Sequence, residues 1–403
     1  MAQKVGSLFG GSLLVAGSCI GAGVLALPVL TGLAGFVPSL FTMTAAWAFM
    51  TATAFLLVEA GGWFQTPVNY LSMVGKTLGP VGKGAAWVLY LFLFYAALVA
   101  YIAGSSSVFS SFFGMPSWSA ALFFVLLFSW VIYMGTRSVD LWNRCLMFGK
   151  IGSFIALAIL GARHVDVRLL AESRPQHILA ALPVLVFSFG WHNMIPSLTH
   201  YMKGDLRKVR LSILGGSLIA FAIYLIWEIV CLGIIPLDGP FGLKESLTKD
   251  REASQALAHI LGSSWVSWFA QALAFFAILT SFLAQALSLV HFLADGFHKK
   301  KRAWDAVGIE GPEREHIGLC ALALVPPLVL ALVRPQLFFA ALGFAGGICA
   351  VLLFGILPVC MVWVARYNYK LATSYRLPGG KISLCCIFVF ALFIFCFQLA
   401  NML

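Results

Sequence analysis

Charge is what this sequence has least of. Only 10% of its 403 residues are Asp, Glu, Lys or Arg, against 61% hydrophobic. A soluble globular domain carries about 25% charged residues, so that class is excluded. A disordered chain is excluded too, because disorder needs high charge and few aromatics, and aromatics make up 14% here. Chemical signatures are missing as well. There is no C-x-x-C pair and no Cys/His metal spacing, so the sequence offers no metal site. The nine cysteines, an odd number, all lie in apolar stretches, where free thiols act as small hydrophobes. No phosphate-binding loop, H-E-x-x-H or G-x-S-x-G occurs, which leaves no motif-borne catalytic residue or cofactor site. The formal surplus of +11 suggests nucleic-acid binding in a soluble protein. In an apolar chain it suggests membrane orientation instead, and no nucleic-acid partner is expected.

What the chain has is long apolar runs. A helix crosses a bilayer in about 20 apolar residues. Eleven stretches qualify: 6–33, 36–60, 82–112, 118–136, 145–162, 177–199, 209–236, 263–296, 315–334, 336–366 and 382–402. They are continuous rather than short and alternating, so helices are expected and not membrane strands. The expected fold is an all-α polytopic membrane protein with eleven transmembrane helices, one domain over residues 1–403 in a lipid bilayer. The first run follows Lys4 and contains Ala16-Gly17-Ser18-Cys19, a sequence like a lipoprotein cleavage site. It continues through Pro28 into the second run, so it reads as the first transmembrane helix rather than a signal peptide. The loop at 297–314 is too short to fold alone, and Gln255 to Leu261 is expected to form a short helix over the outer mouth.

Basic residues orient these spans. With the N-terminus inside, 18 Lys and Arg fall in cytoplasmic segments, among them Lys4, Arg144, Arg210, Lys299 to Arg302 and Arg366, and 7 fall outside. Cytoplasmic loops collect basic residues, so the N-terminus is expected inside and the C-terminus, after eleven crossings, outside. Lys299 to Arg302 reads as a topology anchor rather than a lipid-binding patch.

Two spans are interrupted. Span one reads Gly17-Ser18-Cys19-Ile20-Gly21-Ala22-Gly23 at its middle and then reaches Pro28. Each glycine costs a helix about 1 kcal/mol relative to alanine and lets the backbone approach a ligand. Gly17 and Gly21 also form a G-x-x-x-G spacing, so helix packing alone is an alternative. Span six reads Ser188-Phe189-Gly190-Trp191-His192-Asn193-Met194-Ile195-Pro196. Polar groups and a proline at mid-membrane depth are costly unless they line a cavity. Interruptions five spans apart point to a transporter site between inverted repeats, where broken helix ends hold a carboxylate and an ammonium or cation.

Gly-Ala-Gly-Val-Leu-Ala-Leu-Pro (21–28), Phe-Gly-Trp-His-Asn-Met-Ile-Pro-Ser-Leu (189–198), Thr-Ser-Phe-Leu (280–283) and Leu-Ala-Asp-Gly-Phe (293–297) resemble the aromatic amino acid permeases of bacteria, which transport tyrosine or tryptophan. The resemblance covers nearly the whole chain. It implies the amino acid–polyamine–organocation superfamily, a leucine-transporter-like five-plus-five inverted repeat, and a bacterial inner-membrane location. The repeats would be 6–162 and 177–366, with 382–402 as an extra helix. It implies a substrate site from Gly17, Ser18, Ile20, Gly21, Ala22 and Gly23 on span one and Ser188, Phe189, Gly190, Trp191, His192 and Asn193 on span six. Tyr95 and Tyr101 on span three are candidate wall residues, and Gln285 could face the same cavity. The partners implied are a small aromatic amino acid and a coupling ion.

Ionisable residues inside spans are functional suspects by default. In relatives of the fold, sodium sits between the broken first helix and hydroxyls on span eight, and a lysine on span five can replace it. Thr280 and Ser281 match the hydroxyls and Lys150 the lysine. A proton is therefore favoured over sodium, although the two hydroxyls also suit sodium, and Lys150 could instead snorkel to the interface. Glu59 and Glu228 are each either proton relays or carboxylates satisfied by a neighbouring helix. His291, where relatives often carry an acid, lies four residues before Asp295. That pair is the basis of a much weaker reading as a membrane transferase. A channel would need charge rings or a filter motif, and neither is present. The favoured function is proton-coupled import of tyrosine, or of tryptophan.

Overall fold

The computed structural model describes residues 6–64, 68–297 and 314–402, which are helical with no strand. Lys4 and the Lys299 to Arg302 run lie outside the described residues. The chain opens with α1 (Leu8–Cys19) and α2 (Gly23–Thr31), bent by 61° at the break between them. α3 (Phe36–Gly61), α4 (Tyr70–Phe113), α5 (Ser117–Tyr133) and α6 (Thr136–Ala162) follow. After the short α7 (Val167–Ala171), the sixth expected span divides into α8 (Leu182–Ser188), a tight turn over Trp191–Met194 and α9 (Ile195–Tyr201). α10 (Leu206–Leu232), α11 (Leu243–Thr248), α12 (Ala253–Leu261), α13 (Ser264–Phe297), α14 (Arg314–Val333), α15 (Phe338–Asn368) and α16 (Gly380–Ala400) complete the chain.

Helices thus occupy all eleven expected stretches, in order. Among the described residues, seven helices are long and apolar enough to cross a membrane, and eight when the bent α1–α2 pair counts as one. α5 and the 317–333 part of α14 are shorter apolar helices, and the sixth stretch is in pieces. Large apolar side chains such as Phe9, Phe41, Phe148, Trp265 and Ile382 point outward, a surface that suits lipid. All nine cysteines are free; Cys19, Cys231, Cys320 and Cys349 are buried, Cys360 is half-buried and the other four are exposed.

Local chemistry explains the helix ends. Ser7, Asn69 and Asp205 cap α1, α4 and α10, each accepting first-turn amides, which satisfies donors that the helix cannot. α4 kinks at Gly79, where φ is +70° immediately before Pro80, a conformation that favours glycine. α1 packs along α10, α13 along α6 and α4, and α8 against α15 and α3. The α8–α15 contact depends on Gly346, where an added Cβ would fall 1.8 Å from the Pro183 carbonyl oxygen.

The 233–263 connection folds over one end of the bundle. The helix expected at Gln255 to Leu261 is α12, which packs on α13 and α2. Asp250 accepts from the amides of Phe338 (2.7 Å) and Phe339 (3.1 Å), capping α15 from a distance, and Gln255 donates to Ser107 on α4 at 2.7 Å. Glu252 caps α12 through the Ser254 amide (2.7 Å) and is itself buried.

Candidate functional site

A helix broken inside an apolar bundle frees backbone groups that water cannot reach, and each needs a partner. The break between α1 and α2 can be followed group by group. The Cys19 carbonyl accepts from the Tyr224 hydroxyl at 2.6 Å and from the Gly21 amide at 2.8 Å. The Ile20 carbonyl accepts from Lys150 Nζ at 2.6 Å, and the same ammonium lies 3.4 Å from Thr280 Oγ1. The Ala22 amide donates to Ser281 Oγ at 3.2 Å. One turn further on, Pro28 has no N–H for the Val24 carbonyl, and the Trp227 indole supplies one at 3.0 Å. α6, α10 and α13 therefore repair the break, and Lys150 is only 3% exposed.

Small residues make these approaches possible. An added Cβ at Gly23 would lie 2.4 Å from Ser188 Oγ and 3.3 Å from Ser188 Cβ. The two interrupted helices thus touch at Gly23 and Ser188. The Ser188 carbonyl also lies 3.0 Å from the Tyr224 hydroxyl, so one phenol faces carbonyls from both breaks.

The second break carries rings. Phe189, Trp191 and His192 are all fully buried. His192 stacks on Phe354 with centroids 4.7 Å apart and on Trp191 at 6.0 Å. Phe189 meets Trp191 edge-on at 6.0 Å and Tyr224 at 5.1 Å. His192 Nε2 pairs with Thr53 Oγ1 at 2.9 Å. Three buried polar atoms here have no partner among the described residues: Ser188 Oγ, Trp191 Nε1 and His192 Nδ1. Unpaired buried polar atoms are rare in folded proteins and point to a ligand or water.

The two breaks bring together Ile20, Gly21, Ala22, Gly23, Ser188, Phe189, Gly190, Trp191 and His192, with Lys150, Thr280 and Ser281 behind span one. Tyr101 is buried and within hydrogen-bonding reach of Ser281. The other candidates have surroundings of their own. Ser18 and Asn193 are exposed, and Ser18 bonds back to the Val15 carbonyl at 2.7 Å. A Cβ at Gly17 would make only ordinary contact with Met147, at 3.7 Å. Tyr95 donates to the Leu322 carbonyl of α14 at 2.8 Å, and Gln285 is half-buried. Glu59 is held by Arg366, with Nε–Oε1 at 2.6 Å, and by the Leu377 amide at 2.8 Å. Glu228 accepts from Thr31 at 2.6 Å, while its other oxygen has no protein partner. His291 and Asp295 are exposed on α13.

Sequence reading missed Tyr224, Trp227, Thr53, Phe354 and Arg366. The available signal was the run of Tyr224, Trp227 and Glu228, three polar-capable side chains within five residues of one apolar helix.

Comparison with known proteins agrees with this architecture. The tyrosine-specific transport system 1 of Haemophilus influenzae is 31% identical over 390 residues, covering 96% of this chain and 94% of the relative. Among solved structures, a manganese transporter of Eremococcus coleocola with an aromatic bis-isothiourea compound superposes with a TM-score of 0.65 at 13% identity, over 98% of this chain and 88% of the other. MhsT in complex with L-phenylalanine gives 0.63 at 12% identity, over 99% of both chains. At such identities the likeness fixes the leucine-transporter-like fold and not the substrate. The model of the tryptophan/tyrosine permease family matches residues 4–398. The chain is a multi-pass membrane transporter rather than an enzyme, and it belongs to the tryptophan/tyrosine permease family.

Proposed function

We propose that the protein imports an aromatic amino acid, tyrosine or tryptophan, across a bacterial inner membrane by proton symport. The N-terminus is cytoplasmic, the C-terminus periplasmic, and the repeats are 6–162 and 177–366 with α16 as the added helix. The observation that carries the substrate reading is the set of unpaired polar atoms, Ser188 Oγ, Trp191 Nε1 and His192 Nδ1, set among buried rings at a helix break. An aromatic amino acid supplies a ring to stack and polar groups to pair, a match to both features. Its carboxylate suits the N-terminal end of α2, where the helix dipole favours negative charge. The H. influenzae relative is named for tyrosine and the MhsT structure holds phenylalanine.

Coupling is assigned to Lys150. Its ammonium lies among the Ile20 carbonyl and the Thr280 hydroxyl, oxygens that would otherwise suit a sodium ion. A lysine that loses its proton to the cytoplasm loosens its hold on span one, because a charge-assisted bond becomes a neutral one, and reprotonation from outside restores it. Alternating access then follows as spans one, two, six and seven rock against three, four, eight and nine. A sodium-coupled reading draws on the same hydroxyls, Thr280 and Ser281. Purified protein in liposomes, given labelled tyrosine or tryptophan with a proton gradient or a sodium gradient alone, separates the two. Accumulation driven by the proton gradient supports the proposal. Accumulation needing sodium replaces the coupling ion, and no aromatic uptake by folded protein defeats the substrate.

A further inference from the structure

A carrier that binds its substrate through bare backbone carbonyls faces a problem when it travels back empty. Those carbonyls remain inside an apolar bundle and still need donors. On span one, the Ile20 carbonyl is supplied by Lys150. Two further carbonyls, Cys19 from α1 and Ser188 from α8, both face the Tyr224 hydroxyl at 2.6 and 3.0 Å, and Cys19 also accepts from the Gly21 amide at 2.8 Å. A phenol has one proton to give and an ammonium has three. The Tyr224 hydroxyl can therefore satisfy one of the two carbonyls at a time, where a substrate ammonium satisfies both.

From this geometry we propose that Tyr224 is a built-in stand-in for the substrate's ammonium, a positioning residue that pairs with the carbonyls of the two breaks whenever substrate is gone. The inference rests on the amino acid reading of the site. It assigns the phenol to the return of the empty carrier rather than to transport of the loaded one. Three features support it. Tyr224 is completely buried, so no water competes for its hydroxyl. Its ring packs on Phe189 at 5.1 Å, so its hydroxyl is held beside the second break. One turn along the same helix, Trp227 pairs with the single Val24 carbonyl at 3.0 Å, a purely structural repair of Pro28 that serves as an internal control.

The test compares net uptake with exchange. Net uptake requires the empty carrier to return, whereas exchange of internal for external labelled substrate does not. Tyr224→Phe keeps the ring and removes the donor. It should slow net uptake about tenfold, the scale of one lost hydrogen bond, while exchange persists within about twofold and half-saturates at lower substrate concentration. Trp227→Phe should lower thermal stability and leave the ratio of exchange to net uptake unchanged. Should the Phe variant not fold, 3-fluorotyrosine at position 224, a stronger donor, should raise the half-saturation for exchange. Parallel loss of net uptake and exchange in Tyr224→Phe, an unchanged ratio, or an unmoved half-saturation with fluorotyrosine overturns the inference. Absence of aromatic uptake by the wild type defeats the substrate reading instead, and the same ratio is then measured with the amino acid that is transported.

Discussion

Lys150 donates to the Ile20 carbonyl across 2.6 Å, joining α6 to the break between α1 and α2, 130 residues away. A buried ammonium is costly unless its donors are met, and this one finds a carbonyl and the Thr280 hydroxyl at 3.4 Å. Loss of its proton turns this charge-assisted bond into a weaker neutral one. Lys150→Ala should therefore abolish uphill accumulation driven by a pH gradient while exchange at equal pH continues. Acid-stimulated accumulation at the wild-type level in that variant removes Lys150 from the coupling.

Trp191 Nε1 has no protein partner although its ring is fully buried. If that N–H serves the phenol of a bound tyrosine, Trp191→Phe should raise the inhibition constant for tyrosine about five- to tenfold, the scale of one net hydrogen bond. Competition by phenylalanine should change little, because the ring contact is kept. Equal weakening of both competitors would place the indole away from the phenol.

Glu59 and Arg366 form a buried pair that also holds the Leu377 amide and carbonyl. The segment between α15 and α16 is thus tied across the end of α3. Removing one partner of a buried pair costs about 3–5 kcal/mol, while replacing both by apolar residues is often neutral. Glu59→Ala should markedly lower the melting temperature in detergent, and adding Arg366→Met should restore most of the loss. Unchanged pH dependence of uptake in the double variant is expected of a structural pair. A shifted profile would assign Glu59 to a proton path.

Legibility followed the range of the cause. Span positions came from apolar length, and the breaks from Gly and Pro, all local properties. Lys150 stood out because a charge in an apolar run is rare. Partners did not: Arg366 is 307 residues from Glu59, and nothing local to either announces the other. Tyr224 looked like any aromatic in an apolar helix, because its role depends on carbonyls freed elsewhere. Helix phase separates other candidates. Tyr95 and Tyr101 are six residues apart, about a third of a turn out of register at 3.6 residues per turn, so both could not face one cavity. Around a break no single phase holds, which is why Ser18 and Asn193 are exposed beside the buried Cys19 and His192.

Glu252, on the segment read as periplasmic, carries a pH dependence of its own. Burial pushes its carboxyl from 4.5 up to about 7, against the lowering effect of its bonds from Ser254 and Gln255. The neutral form therefore favours the folded segment. That contribution is complete below about 4.5 and is lost as pH rises through about 7. Amide exchange in α12, corrected for its intrinsic pH dependence, should quicken across this window, and Glu252→Gln should flatten the response. An identical pH response in the Gln variant would assign the effect to another group.

The contact between the two breaks sets the last expectation. A methyl group at Gly23 would fall 2.4 Å from Ser188 Oγ, inside van der Waals contact, and 3.3 Å from Ser188 Cβ. Overpacking of this kind costs about 1–3 kcal/mol and would push the two helix breaks apart. Gly23→Ala should therefore lower both stability and uptake. Ser188→Ala deletes the clashing hydroxyl and leaves the tight but tolerable Cβ contact, so the double variant should recover stability toward that of Ser188→Ala alone. Additive losses in melting temperature would mean that the two residues do not touch, because only neighbouring sites depart from additivity. Recovery of stability without recovery of uptake is the informative case. It would show that the packing tolerates alanine at 188 and that the Ser188 hydroxyl, which has no protein partner, is needed for the substrate.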